Sequence, residues 1–322
     1  MQILISGAVQ GEDGDQGVLA VILIIDAQTN EILHRCEYLP PKDVVSPGQK
    51  IQFTGSCFID GSYYVCTHNE ILVYDQWPPV TPARKISLKG FNDLHHCFPW
   101  KGNLAVSNTG LETVDIVSLT GELLERYDLL KDEPGARKID DSKDYRLIPD
   151  TKPHLRHGNH LFELDGELWT SQLRTMDAVC VSKPGRRIEM GAGMPHDGIV
   201  MGDKLVFTTT NNHLVMFDVD DTSRRSIYNL PEMTPELNQL GWCRGVVRHP
   251  QHPDQYFVCF SALRRSKWKE FGYWIKHGHW QPRSHMALYD LAQRKMIHHK
   301  QIGEHHGSQL FQIDLLPQER LV

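Results

Sequence analysis

Short apolar runs separated by polar turns recur along the whole chain, and their near-alternation predicts β-strands rather than helices. One phrase keeps returning: an apolar strand, a tight turn that usually carries Gly, a second apolar strand, a polar loop, then a third strand ending in an acidic turn. Copies open at Ser56, His96, His160 and His196 and resume at Glu70, Thr113, Asp177 and His213, while a looser fifth runs from Cys243 through Tyr256 to His285. Each copy then gives a fourth strand, such as Glu122-Leu-Leu-Glu-Arg-Tyr. A sixth copy is cut by the chain ends. His306 to Asp314 supplies its opening strand, and Met1 to Ser6, Val18 to Asp26 and Glu31 to Arg35 supply the others. This pattern predicts an all-β fold, a six-bladed β-propeller closed by N- and C-terminal strands in one blade, because radial repetition hides sheet edges. A pair of β-sandwiches would explain the strands but not the regular phrase. The expected organisation is a single propeller domain over residues 1–322, with insertions at about 131–156 and 263–284 over the channel mouth.

Histidine, at 18 of 322 residues, is the compositional outlier, and its placement is regular. The residue six positions before each turn glycine, Gly102, Gly166 and Gly202, is His96, His160 and His196. The same count gives Gly55 in the first copy; the fifth offers Cys243 or Arg244, and the sixth His305 or His306. Innermost strands line the axis of a propeller, so His96, His160, His196 and His306 are expected to face one another as metal ligands. His95 and His305 remain alternatives to His96 and His306. Imidazoles converging from rigid strands suit a transition metal, with Fe(II) favoured over Cu or Zn. His154 and His157 lie in a predicted loop and read as solvated surface residues.

Other polar residues fall on the same predicted face. Asp197 can accept the second N–H of a ligating histidine, and Arg244 can bind a carboxylate or sulfate; both are candidate catalytic residues. Arg174, Trp268 and Trp274 are candidate substrate contacts. The insertion holding the two tryptophans is aromatic and basic and reads as a lid over an anionic, apolar or aromatic small molecule. It also suits a partner or a second copy of the chain, hence a homo-oligomer. The charged insertion from Lys131 reads as a solvated loop with a steric role.

Charge and composition narrow the partners. Lys+Arg 34 against Asp+Glu 40, a net charge of -6, provides no positive field for nucleic acid. The longest apolar run, Val18 to Ile25, is far too short for a membrane helix. No secretory signal is evident, which leads to an expectation of a cytoplasmic address. Seven scattered cysteines without CxxC spacing predict reduced thiols rather than disulfides or a thiolate zinc site.

The openings His196-Asp-Gly-Ile-Val-Met-Gly-Asp-Lys-Leu-Val-Phe and His160-Leu-Phe-Glu-Leu-Asp-Gly-Glu-Leu-Trp-Thr-Ser resemble blade openings of arylsulfate sulfotransferase-like propellers. That resemblance implies sulfate transfer through a covalent histidine intermediate, with His196, His160, His306 and Arg244 in the channel roles. Four histidines from separate blades also resemble the iron site of carotenoid cleavage oxygenases. The chain has no nucleotide-binding, HExxH or GxSxG motif. The resulting expectation is a metal-dependent enzyme, an oxidoreductase or lyase of the non-haem iron oxygenase, lyase or cyclase kind, acting on a small metabolite. Metal-free histidine catalysis such as sulfate transfer and a non-catalytic interaction propeller remain the alternatives.

Overall fold

A computed structural model describes residues 1–11, 17–29, 31–136, 138–237, 240–262, 284–302 and 309–322. Within them the repeated phrase becomes six four-stranded antiparallel sheets. Blades 1 to 5 open with Ser56–Ile59, Leu94–Trp100, Gly158–Leu164, Ile199–Met201 and Trp242–Arg248. Blade 6 joins the C-terminal strand Gln309–Leu315 to Gln2–Gln10, Gly17–Asp26 and Ile32–Tyr38, in that order. The ring is therefore closed as expected. At the seam Gly7 approaches Gln309 so closely that a Cβ would stand 2.1 Å from the Gln309 carbonyl oxygen.

The opening hairpins explain why the phrase is so regular. Asp60-Gly61, Lys101-Gly102 and Asp165-Gly166 are two-residue turns with positive φ at both positions, the geometry that matches the twist of paired strands. Blade 4 differs. Its Met201↔Lys204 pair is joined by Gly202-Asp203, with positive φ only at the glycine, so glycine is the first turn residue there and not the second.

Each pair of neighbouring sheets traps its own apolar cluster. Leu72 and Ile22 share one between blades 6 and 1, Val73 and Leu104 one between blades 1 and 2, and Phe162 and Phe207 one between blades 3 and 4. Residues alternate between the two faces of a strand, so both faces of every blade are apolar and the polar positions concentrate at the strand ends and the axis. The opening strands of successive blades lie against one another around that axis. Blade 6 meets blade 1 through the Gln312 amide, which accepts from the Ser56 N–H at 2.6 Å and donates to the Ser56 carbonyl at 3.0 Å.

The charged run from Lys131 to Asp144 lies mostly exposed, as expected, whereas the residues that follow it are anchored to the blades. Asn92 Nδ2 donates to the carbonyls of Tyr145 and Ile148 at 2.7 and 2.8 Å, and Gln49 Nε2 to those of Arg146 and Ile148 at 2.7 and 3.0 Å. Amide side chains from the blades thus satisfy the insertion's main chain and pin it over one face. No helix among the described residues is long and apolar enough to cross a membrane.

Candidate functional site at the propeller axis

The opening strands bring His95, Asn159, His160, His196, Asp197, Phe311 and Gln312 to one pocket on the axis. His160 is 9% exposed, and neither ring nitrogen meets a partner at hydrogen-bonding geometry. Main-chain groups of Gly198 and Leu161 lie close enough only to favour its protonation slightly. Burial pulls its pKa down to about 4 against the opposing charge of Asp197, so the ring is neutral at pH 7.

Asp197 accepts from His196, whose Nδ1 lies 2.8 Å from Oδ1. A carboxylate can only accept, so the proton sits on His196 Nδ1 and the lone pair on Nε2. Burial works against the Asp197 charge, but the His196 hydrogen bond, the charges of His196 and His160 and the nearby Gly245 N–H, which lies outside hydrogen-bonding geometry, outweigh it and hold the carboxyl below its ordinary range. Asp197 Oδ2 has no hydrogen-bond partner among the described residues.

His95 also faces the pocket. Its Nδ1 donates to the Asp93 carbonyl at 2.8 Å, leaving the Nε2 lone pair, and burial lowers its pKa to about 3. Around it the insertion builds a further histidine group. Glu112 accepts the N–H groups of Leu155, Arg156 and His157, which fixes that loop. His154 and His157 then meet Nδ1 to Nδ1 at 3.0 Å, and the His157 ring lies 4.9 Å from that of His95. His154 is 5% exposed, so the expectation of two solvated surface histidines is wrong: the Glu112 clamp folds them inward. Asp93 lies below, 3.3 Å from His68 and 3.6 Å from Lys50.

His96 is placed differently from a ligand. Its Nδ1 accepts from the Leu161 N–H at 3.1 Å, and its ring stacks on His160 with centroids 3.6 Å apart and planes 22° apart. Imidazole binds a metal in the plane of the ring at about 2.0–2.1 Å. A metal in one of these planes stands well outside the other, so the pair cannot share an ion as it is arranged. No group of three or more His, Cys, Asp or Glu among the described residues could hold a metal ion. His96 and His160 as stacked do not form a shared metal site, and His306 lies outside the described residues.

No protein family and no curated protein matches the sequence. Solved structures do. They include a protein of unknown function from Bacteroides caccae, at 12% identity over 97% of each chain and a TM-score of 0.59. A chain of a nidogen/laminin complex gives 11% identity over 97% of each chain and 0.57. The β-propeller domain of Myceliophteria thermophila Cps50 (Swd1) gives 10% identity over 92% of this chain and 86% of that one, at 0.50. The chain is a six-bladed β-propeller.

Within the propeller, His96 pairs with Ser107, the fifth residue of the next strand, and in blade 4 the His196 N–H donates to the carbonyl of Thr208, also the fifth residue of its next strand, at 2.9 Å. A one-residue irregularity between Pro195 and Ile199 offsets the glycine-first turn of blade 4, and both His196 and Asp197 line the pocket. In blade 5 Cys243 pairs with Phe260 at that level, with Arg244 beside the Gly245 bulge, and Gly55 holds the level in blade 1, where its carbonyl accepts from the Cys66 N–H. Gly55 is there for room: a Cβ would stand 2.3 Å from His96 Cδ2 and 2.6 Å from the His95 carbonyl oxygen.

Arg244 is 6% exposed, with its guanidinium 4.2 Å from the Phe311 ring centroid and 4.9 Å from that of Trp242. Arg174 lies exposed in the turn after Glu167–Gln172, its main chain bonded to Arg156, and does not line the pocket. His305, His306, Trp268 and Trp274 lie outside the described residues, as does nearly all of the 263–284 insertion.

Sequence reasoning missed Asn159, Gln312, Phe311 and Asp314. The last three sit in the divided blade, where no turn glycine sets the count. Gln312 Nε2 donates to Asp314 Oδ2 at 2.7 Å. Burial pushes the Asp314 pKa up to about 7, and the charge of Asp197 adds to the rise. The sign of the resulting pH dependence follows from linkage. In the folded chain Asp314 holds a proton that the unfolded chain releases near pH 4, so this residue withdraws stability as pH rises from about 4 through 7. His160 acts oppositely between about 4 and 6.5, where only the unfolded chain binds the proton. Asp314→Asn is therefore expected to gain stability relative to the parent as pH rises from 5 to 8 in urea titrations. A difference independent of pH would refute the assignment.

Proposed function

We propose that this propeller is an enzyme that moves protons with histidine side chains at its axial pocket, in a lyase-type reaction on a small metabolite and without a metal. The observation that carries the reading is the His196–Asp197 hydrogen bond beside a buried, neutral His160 in the same pocket. A neutral imidazole oriented by a carboxylate is a general base at neutral pH. Asp197 stabilises the imidazolium that forms when His196 takes a proton. The His196 imidazolium then returns the proton to the product, while His160, with one protonated and one bare nitrogen, hydrogen-bonds and orients the substrate. The pocket lies among packed strands, so these groups hold their geometry without reorganising during the reaction.

The test is proton exchange. Protein purified without a histidine tag is incubated with a bacterial metabolite extract in D2O, and deuterium uptake is followed by mass spectrometry. Uptake into a defined metabolite is expected for the parent, lost in His196→Ala, and unchanged after dialysis against o-phenanthroline. Loss on dialysis with recovery on adding a transition metal would overturn the metal-free reading, and uptake by His196→Ala would overturn the site.

A further inference from the structure

We infer that the axial pocket recognises a hydroxyl group of a small neutral molecule and turns away carboxylate, sulfate and phosphate groups. The inference takes its choice of pocket from the acid–base reading and adds the chemistry of what binds there.

It follows from which atoms face the pocket. Asn159 is 2% exposed; its Nδ2 donates to the Pro195 carbonyl at 3.1 Å, which fixes the amide and leaves Oδ1 without a partner among the described residues. Asp197, also 2% exposed, has Oδ1 engaged by His196 and Oδ2 unmatched. His95 has its proton on Nδ1, toward Asp93, and its lone pair on Nε2. His160 adds one donor and one acceptor. The Gln312 amide, the other donor on the wall, spends its two N–H groups on the Ser56 carbonyl and on Asp314.

Acceptors thus outnumber donors, and buried polar atoms of this kind need a partner that donates. A hydroxyl does so, and it can also accept the single N–H of His160.

Charge leads to the same class. Burial holds His95 and His160 neutral, and Asp197 is anionic. An anion there would meet a carboxylate and lone pairs, with no cation among the described residues that line the pocket, a costly arrangement in a buried site. Arg244 lies over the Phe311 ring and does not line the pocket. The cavity itself is only ≈ 10 Å³, enough for one water or one hydroxyl oxygen. The charge argument runs against the anionic substrate and the sulfate chemistry expected from the sequence.

The experiment uses full-length protein labelled with 15N-histidine and four probes at matched concentrations: glycerol, sodium acetate, sodium sulfate and methylammonium chloride. Glycerol is expected to shift the ring signals of His160 and His95 in a saturable way, and Asp197→Asn to weaken that binding about tenfold through loss of a charged acceptor. Asn159→Leu provides a second variant and should abolish the glycerol shift while its backbone spectrum stays that of the parent. Shifts produced by acetate or sulfate, by methylammonium alone, or by no probe would each overturn the inference. Glycerol binding in a protein that shows no proton exchange would leave the hydroxyl site standing and sink only the catalytic reading.

Discussion

Asp115→Ala is expected to destabilise the protein by about 3–5 kcal/mol, because it removes the buried carboxylate that pairs with a partly buried guanidinium and leaves only the exposed Asp141, 3.9 Å away. Asp115 is fully buried in the Thr113–Val117 strand, and Arg126 reaches it from the paired strand with Nε and Nη2 at 2.7 and 2.9 Å. Asn108 Nδ2 and the Thr113 hydroxyl complete the cluster, each at 2.9 Å. Four donors therefore lose one acceptor together. At roughly 2 °C per kcal/mol for a chain of this length, the melting temperature should fall by about 6–10 °C. Pairing Asp115→Leu with Arg126→Leu should recover part of the loss, since replacing both charges by apolar groups removes the stranded cation. The recovery stays partial because Asn108 and Thr113 remain without their acceptor. If Asp115→Ala melts within 2 °C of the parent, the cluster carries little of the blade's stability.

The second large effect lies at the axis. Asp197→Asn keeps the size of the side chain but exchanges a carboxylate for an amide that can turn its N–H toward His196, which would move the imidazole proton to Nε2 and remove the base. The expected loss of turnover is about 10²–10⁴-fold, the range of a positioned general base. The pH profile separates this role from a structural one. In the parent, activity should rise with pH as the pocket imidazoles lose their protons and then level off, His160 being neutral above about 4. In Asp197→Asn the plateau should drop while the thermal melt stays close to the parent's. A variant that loses activity and folded structure in proportion would instead mark Asp197 as part of the scaffold.

Much of the architecture was legible because the physics behind it is local. Asp60-Gly61, Lys101-Gly102 and Asp165-Gly166 announce tight hairpins by their backbone requirement alone, and the apolar strands on either side need neighbours on both faces. The cut sixth copy was legible for a related reason: an unpaired edge at each chain end is resolved by joining the two. His96 and His160 were correctly drawn to one place, where they stack. His196 reaches the same pocket although its hairpin is of a different kind, because a one-residue irregularity before Ile199 offsets the turn. His154 and His157 were misjudged because the carboxylate that folds them inward, Glu112, is more than forty positions away in the chain.

What the sequence determined by itself is therefore the repeat: strand, turn and apolar period, six times, with polar residues gathered at the strand openings. Those signals lie within a few residues of one another and depend on backbone torsion and burial. The tertiary structure alone decided the chemistry of the axis: which nitrogen of His95 and His196 keeps its proton, which oxygens of Asn159 and Asp197 go unmatched among the described residues, and that His96 stacks on His160. Hydrogen-bond partners drawn from different blades set each of these, and no spacing along the chain records where such partners meet.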